Sequence, residues 1–258
     1  MRTLNRFIFV LMSLYLAVPL ISTIVYAFST KWNKTILPEG LTLKWVAQLF
    51  SDSRFIESFG RSVLLAGGPV VVAVLTMVPA ILIIVIYFPK YEKWIQTMVV
   101  MVFAFPPVIL AVGLIRAYVS TGVSMILVVA GAYVIAIIPF MYQGTRNSIR
   151  NINARELMDA AEILGASKVL AFKKIILPCI YPGVFVASLL SFAVLFGEFV
   201  LVNLIVGSRF ETVQIYLFAM LKQSGHLASA VVFIYIMLMG LTTLVMATLT
   251  KKQGGSVL

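Results

Sequence analysis

The chain has 258 residues, of which 62% are hydrophobic and 11% are charged, and its formal net charge is +11. Soluble domains are closer to half apolar and a quarter charged, so this composition indicates an integral membrane protein. A single cysteine excludes a disulfide framework, and together with a single histidine it leaves little material for a metal site.

The first predicted element is an apolar run over about residues 7–28, which follows Arg2 and Arg6. A secretory signal peptide is the alternative, because small residues near its end could form a cleavage site. The run is longer than the ~7–15 apolar residues of such a peptide and suffices to cross a bilayer core. We therefore expect an uncleaved span, followed by an outer segment over residues 29–61 with one or two short interfacial helices.

Three further spans are predicted over about residues 62–88, 95–119 and 124–142. Pro106 and Pro107 interrupt the third of these, because proline removes a backbone donor and breaks a helix. Carbonyl groups freed at such a break must face protein or water within a bilayer. The break is therefore either a packing kink or part of a solute pathway.

Residues 143–176 follow the fourth span and contain the longest charged, amphipathic run of the chain. From Glu156 to Pro178 this run reads ELMDAAEILGASKVLAFKKIILP. Its acid-Ala-Ala triplet starts at Asp159 near a helix start, where the macrodipole favours negative charge. Gly165 predicts the end of the helix, because glycine is the residue that most often ends one. The two alanines are small enough to let another surface approach. From these residues alone, a helix lying on the bilayer surface and a docking site for a partner both remain open.

The last two spans are predicted over about residues 179–206 and 227–250, separated by a second outer segment. Glu198 is the one acid deep in a predicted span, and such residues usually face the bundle or a water-filled cavity. It is either a pathway residue or part of a structural ion pair, for instance with Arg116 or a neighbouring subunit. For His226, a solvated side chain and a pH-sensitive contact with an external partner are the alternatives.

These elements predict an all-α integral membrane protein with about six transmembrane helices in one domain over residues 1–258. The excess of Lys and Arg in the segments assigned to the inside places both termini in the cytoplasm. This topology explains the positive charge, so no nucleic-acid partner is expected. The sequence has no Walker A motif and no catalytic constellation, which predicts a non-enzymatic chain that binds neither a cofactor nor a metal. The tentative pathway residues are Glu198, Ser191, Asn203, Pro106 and Pro107.

The charged run carries a family resemblance. Its pattern is acid-Ala-Ala, three residues, Gly, nine residues, Ile, one residue and Leu-Pro, and it is similar to the "EAA" signature of the membrane subunits of type I ABC importers. Asp159 stands where that family usually has Glu, which preserves the charge. The resemblance implies that this run is a cytoplasmic coupling helix that contacts an ATPase. The coupling residues it implies are Glu156, Asp159, Ala160, Ala161, Leu164, Gly165, Ala166, Ile175, Leu177 and Pro178.

The resemblance also implies the partners of a bacterial inner-membrane importer. These are two ATP-binding subunits that carry ATP and magnesium, a second permease chain that differs in sequence from this one, and an extracytoplasmic solute-binding protein. The stretches Phe196–Phe218 and Ser224–Ala230 resemble spermidine/putrescine-type permeases, which favours a polyamine as the solute. Permeases of this frame for ferric iron, thiamine or phosphonates are alternatives, and a secondary transporter or channel is the alternative class.

Overall fold

The computed structural model describes residues 2–32 and 37–254; residues 33–36, in the first predicted outer segment, lie outside the described residues. Within the described part, every regular element is a helix, apart from an isolated β-bridge between Ser29 and Leu41. The α-helices are α1 (Arg2–Ala27), α2 (Lys44–Ser51), α3 (Ser53–Tyr87), α4 (Glu92–Met101), α5 (Pro107–Tyr118), α6 (Met125–Ala136), α7 (Ile138–Asn151), α8 (Ala154–Ile163), α9 (Lys168–Ala171), α10 (Leu177–Phe196), α11 (Val200–Ile205), α12 (Val213–Met220) and α13 (Gly225–Gly254).

The described residues contain five helices that are long and apolar enough to cross a membrane, or six if one bent pair counts as a span. The bent pair, Pro89–Ala104 and Pro107–Tyr118, turns by 90° at the predicted proline break. The fold class, an all-α integral membrane protein with about six spans, is therefore confirmed. The five candidates other than the bent pair are Asn5–Ala27, Ser53–Tyr87, Met125–Asn151, Lys168–Phe196 and Gly225–Thr250.

Two helices extend well beyond the spans that hydropathy predicts. The second span was expected from residue 62, but α3 begins at Ser53, where the Asp52 carboxylate accepts a hydrogen bond of 2.9 Å from the Arg54 N–H. Likewise, α7 continues to Asn151 rather than ending near residue 142. Polar residues mark the end of the apolar stretch, but they are compatible with a helix that continues into water.

The fifth span is shorter as a helix than expected. It was predicted to continue to residue 206, whereas α10 ends at Phe196 and the short α11 begins at Val200. Gly197 and Glu198 lie in the break between the two helices. The Glu198 carboxylate accepts hydrogen bonds from backbone N–H groups in the first turn of α11. It therefore stabilises the start of α11 and does not continue α10.

The chain divides into two compact units, the first of which comprises residues 2–32, 37–60 and 211–240. Here Arg54 makes two hydrogen bonds to the Glu211 carboxylate, at 2.6 and 2.7 Å. The Tyr216 hydroxyl donates to Asp52 Oδ2 at 2.7 Å. Burial and this hydrogen bond raise the pKa of Tyr216 above its ordinary value, so the hydroxyl stays protonated as a donor.

His226, in the same unit, is not the solvated side chain that was one expectation. Its half-buried ring stacks on Tyr26 at 4.2 Å and on Trp45 at 4.8 Å between centroids. The Trp45 indole N–H in turn donates to the Ser29 carbonyl at 2.9 Å. The expectation of a solvated ring is wrong because residues far apart in the chain enclose the ring from both sides.

The second unit comprises residues 61–210 and 241–254 and contains α4 to α11. In it α10 packs along α7, and α11 packs on α5. Gly144 of α7 lies so close to α10 that an added Cβ would stand 2.5 Å from the Ala187 Cβ. The closeness of α7 and α10 thus depends on a residue without a side chain.

Candidate functional site

The predicted coupling run folds into a bent segment, called the elbow, which consists of α8, the turn at Gly165 and α9. Asn153, which precedes the helix, has a left-handed backbone with φ 48°, a conformation that asparagine tolerates better than most residues. At the other end, Gly165 has φ +84°. The Gly165 N–H donates to the Glu162 carbonyl at 2.9 Å, and the Ala166 N–H donates to the Ala161 carbonyl at 3.0 Å. This is the Schellman arrangement of a helix end, so Gly165 ends the helix as predicted.

The two faces of α8 differ in their surroundings. Ala154, Met158 and Ala161 are buried against the rest of this chain, at the spacing of one helical face. Asp159 and Ala160 are exposed. Both alanines were expected to admit another surface, but Ala161 already packs within its own chain. The face left for a partner therefore carries Asp159 and Ala160, together with the exposed Glu156.

The tip of the elbow is apolar and strongly exposed. Ile163 is 85% exposed and Leu164 is 87% exposed, more than any other large hydrophobic residue of the described chain. Next to them, the Ser167 hydroxyl accepts a hydrogen bond of 3.3 Å from the Leu170 N–H and so starts α9. Apolar side chains exposed beside acidic ones are typical of a surface that binds a protein or a membrane.

The last residues of the signature lie in the π-helical turn and in α10, and not at the tip of the elbow. After α9, a π-helical turn over Phe172–Ile176 leads into α10. Ile175 and Leu177 are half-buried, as is Ala166, whereas Pro178 is exposed. Pro178 stands in the first turn of α10, directly after the π-helical turn.

A buried charge cluster, which sequence reasoning missed, lies next to the elbow. Glu92, in the first turn of α4, is 5% exposed. Its Oε1 accepts a hydrogen bond from Arg146 Nε, and its Oε2 accepts one from Arg150 at 2.9 Å. The four-residue spacing of the two arginines predicts a shared helix face. Nothing in the sequence indicates that their partner is Glu92.

The tentative pathway residues are only partly brought together. A groove of about 640 Å³ in the second unit is lined by Pro107 and Glu198 among mostly apolar side chains. Pro106 is exposed at the start of α5. Ser191 is fully buried, and its hydroxyl donates to the Ala187 carbonyl at 2.8 Å. Asn203 is half-buried, and neither it nor Ser191 lines this groove.

Glu198 is held on three sides. Its Oε1 accepts a hydrogen bond from the Leu201 N–H at 2.8 Å, and its Oε2 accepts one from the Val202 N–H at 3.3 Å. The Tyr133 hydroxyl donates to Oε2 at 2.9 Å. The first N–H groups of a helix have no intrahelical partner, and a carboxylate there also meets the positive end of the macrodipole. These groups, rather than Arg116, stabilise the acid among the described residues.

Residues 86–253 match the family of the binding-protein-dependent transport system inner membrane component. The chain belongs to this family. The matched range contains the elbow, the Glu92 cluster and Glu198. Membership confirms the resemblance that the acid-Ala-Ala pattern indicated.

Curated relatives support the same assignment. The permease is 26% identical over 221 residues to the spermidine/putrescine transport system permease protein PotC of Haemophilus influenzae, covering 84% of each chain. It is 22% identical over 251 residues to PotC of Escherichia coli (strain K12), covering 94% of each. It is also 24% identical over 245 residues to the putative 2-aminoethylphosphonate transport system permease protein PhnV of Salmonella typhimurium, covering 94% of this chain and 91% of the relative.

The fold has a solved counterpart. A chain in the crystal structure of a bacterial ABC transporter, involved in the import of the acidic polysaccharide alginate, superposes with a TM-score of 0.71. The identity is 16%, and the match covers 97% of this chain and 95% of that one. Together with the family match, this similarity shows that the chain is an ABC importer permease, which is a multi-pass membrane subunit that works with other transporter subunits. The secondary transporter or channel, the alternative class, gains no support.

Proposed function

We propose that this permease forms half of the solute pathway of an ATP-driven bacterial importer, and that an ATPase subunit binds its elbow. The observation that carries the proposal is the exposed tip at Ile163 and Leu164, beside the exposed acid of Asp159. Apolar side chains supply the contact area, and the acids provide electrostatic selectivity for a basic partner surface. The Schellman turn at Gly165 fixes the direction in which this surface points.

The proposed work of the elbow is mechanical. Two ATP-binding subunits would supply ATP and magnesium, and their closure would move α8 together with the helices attached to it. The chain needs no reactive group for this step, in agreement with a non-catalytic subunit. A second permease chain of different sequence would complete the pathway. In the proposed topology the elbow and both termini would lie in the cytoplasm, and the outer segments would receive an extracytoplasmic binding protein.

For the solute, we propose a polyamine of the spermidine/putrescine class. The PotC relatives and the resemblance over Phe196–Phe218 support this choice. Glu198 adds a chemical reason, because a carboxylate on the groove can pair transiently with an ammonium group. A carboxylate has about four lone-pair sites, and three are occupied here, so one is left for a cation. A 2-aminoethylphosphonate solute is the second candidate, since the PhnV relative is 24% identical.

The proposal is tested by reconstituting the complex that purifies with a tagged form of this chain. Proteoliposomes are supplied with the delivery protein and with labelled spermidine, putrescine or 2-aminoethylphosphonate, together with ferric iron and thiamine as further solutes. We expect uptake of a polyamine that requires ATP and stops with a non-hydrolysable analogue. Uptake of the phosphonate alone would favour the second candidate. Uptake that needs no co-purified ATPase would contradict the importer.

A further inference from the structure

Glu92 connects two parts of the second unit that the proposed mechanism requires to move together. It lies in the first turn of α4, and α4 leads through the turn Val102–Ala104 to the 90° bend before α5. Phe105 and Pro107 at that bend line the groove that contains Glu198. The first turn of α4 is therefore connected, through the rest of that helix, to the bend between α4 and α5 that borders the groove.

Its two arginine partners belong to the helix that precedes the elbow. Arg146 and Arg150 lie on α7, which ends at Asn151, and α8 begins three residues later at Ala154. The Arg146 side chain is 15% exposed and that of Arg150 is 53% exposed. The Tyr142 hydroxyl, one turn earlier on α7, also donates to the Glu92 backbone carbonyl at 3.4 Å. Thus three successive turns of α7 hold Glu92.

The cluster also reaches the elbow itself. A small pocket of about 260 Å³ is lined by Glu92 and Arg150 together with Asn153 and Glu156. Asn153 is the left-handed residue from which α8 starts, and Glu156 is one of the coupling residues. A shift of α8 at this junction would therefore act directly on Arg150.

Stability alone gives a weak reason for this arrangement. The cost of removing charges from water largely offsets the attraction within a buried ion pair, and apolar side chains of similar volume are often as stable. Two arginines on one carboxylate do fix the orientation of α4 relative to α7, because guanidinium groups donate in a rigid plane. The opposite side of α7 is fixed by the close contact of Gly144 with Ala187 of α10.

We propose that Glu92, Arg146 and Arg150 form a charged strut that transmits movement of the α8 elbow to the α4–α5 break. The inference rests on the proposed function, and it adds three positioning residues to it. None of the three has to touch the solute or the ATPase. Removing the strut should therefore leave ATP hydrolysis intact and uncouple it from the rearrangement of the groove.

The test uses the complete importer in lipid nanodiscs and needs no knowledge of the solute. The chain has one cysteine, so Cys179→Ser provides a background into which Phe105→Cys is introduced as a reporter on the groove. The rate of maleimide labelling at the reporter is measured without nucleotide and with ATP plus vanadate. The ATPase rate of the same preparation is recorded in parallel.

In the parent we expect nucleotide to change the labelling rate by at least about fivefold, the low end for coupling between two sites. Glu92→Gln and Arg150→Gln should lose most of this change while hydrolysing ATP, and Arg150→Lys should recover part of it. Lys93→Gln is the matched control, since Lys93 is exposed and adjacent to Glu92, and it should respond like the parent.

A full nucleotide response in Glu92→Gln would overturn the strut. If that variant does not assemble, Arg150→Gln decides by the same criterion, because its half-exposed side chain can be removed while Arg146 still pairs with Glu92. Equal loss of hydrolysis and of the labelling change, at normal assembly, would also overturn the proposal by indicating a general structural defect. A parent without any nucleotide response would contradict the proposed function itself, and the strut with it.

Discussion

The hydroxyl of Tyr133 donates a hydrogen bond of 2.9 Å to the Glu198 carboxylate, although 65 residues separate the two in the chain. The contact joins α6 to the break between α10 and α11. It fixes the orientation of an acid whose other hydrogen bonds come from the backbone at the start of α11. The carboxylate therefore serves local structure, whether or not a solute also meets it.

Replacing Glu198 with Gln separates these two roles. The amide oxygen of Glu198→Gln still accepts a hydrogen bond from the start of α11, so assembly should be normal, but the negative charge is gone. If the charge pairs with a cationic solute, spermidine uptake should fall about tenfold or more, because a hydrogen bond to a charged group contributes about 1.5–3 kcal/mol. Tyr133→Phe, which keeps the charge, should retain most uptake. Uptake by Glu198→Gln at the parent rate would rule out the counter-charge role.

Substitution of Gly165 tests the elbow through backbone strain alone. At φ +84° a side chain other than glycine costs about 1–2 kcal/mol. No atom outside its immediate neighbours lies within 4 Å of an added Cβ, so there is no steric clash to complicate the result. Gly165→Val should therefore misdirect the tip and lower the amount of solute imported per ATP hydrolysed. Gly165→Asn, whose side chain tolerates this backbone, should be milder. Unchanged import per ATP in Gly165→Val would mean that the elbow is not the coupling surface.

Two helical glycines form a matched pair for the packing of α7. In Gly144→Ala the new methyl group would stand 2.5 Å from the Ala187 Cβ, whereas at Gly131 of α6 the same change meets no atom within 4 Å. Overpacking typically costs about 1–3 kcal/mol, while alanine in an open helical position gains about 0.5–1 kcal/mol over glycine. Thermal unfolding of the purified complex should show a lower midpoint for Gly144→Ala and an equal or higher one for Gly131→Ala. The opposite order would contradict the close packing of α7 on α10.

Local chemistry made several features predictable from sequence. Hydropathy indicated the membrane helices, Pro106 and Pro107 indicated the bend, and Gly165 indicated the end of α8. Each of these signals is carried by residue types at a few neighbouring positions. For the same reason, hydropathy placed helix ends poorly, since α3 starts at Ser53 in polar sequence.

The contacts between distant segments could not be predicted in this way. Glu92 lies between two predicted spans, and its arginine partners are 54 and 58 residues away, so the local sequence gives no sign of them. His226 looked solvated, because Tyr26 is about 200 residues away in the chain. Glu198 was expected deep in a helix, but its hydrogen bonds to the N–H groups of Leu201 and Val202 show that it begins another. The partners of Glu92 and His226, and the contact of Glu198 with Tyr133, are specified by the fold and not by the neighbouring sequence.

Cross-linking from Ala160 tests the central claim most directly. Ala160→Cys in the Cys179→Ser background is treated with a short thiol-to-amine cross-linker in the complete complex, and Leu221→Cys, at an exposed position after α12, serves as the control. We expect Ala160→Cys to link to an ATP-hydrolysing subunit and Leu221→Cys not to do so. Labelling of Ala160→Cys by an impermeant reagent from outside intact cells, with no link to an ATPase, would contradict the account.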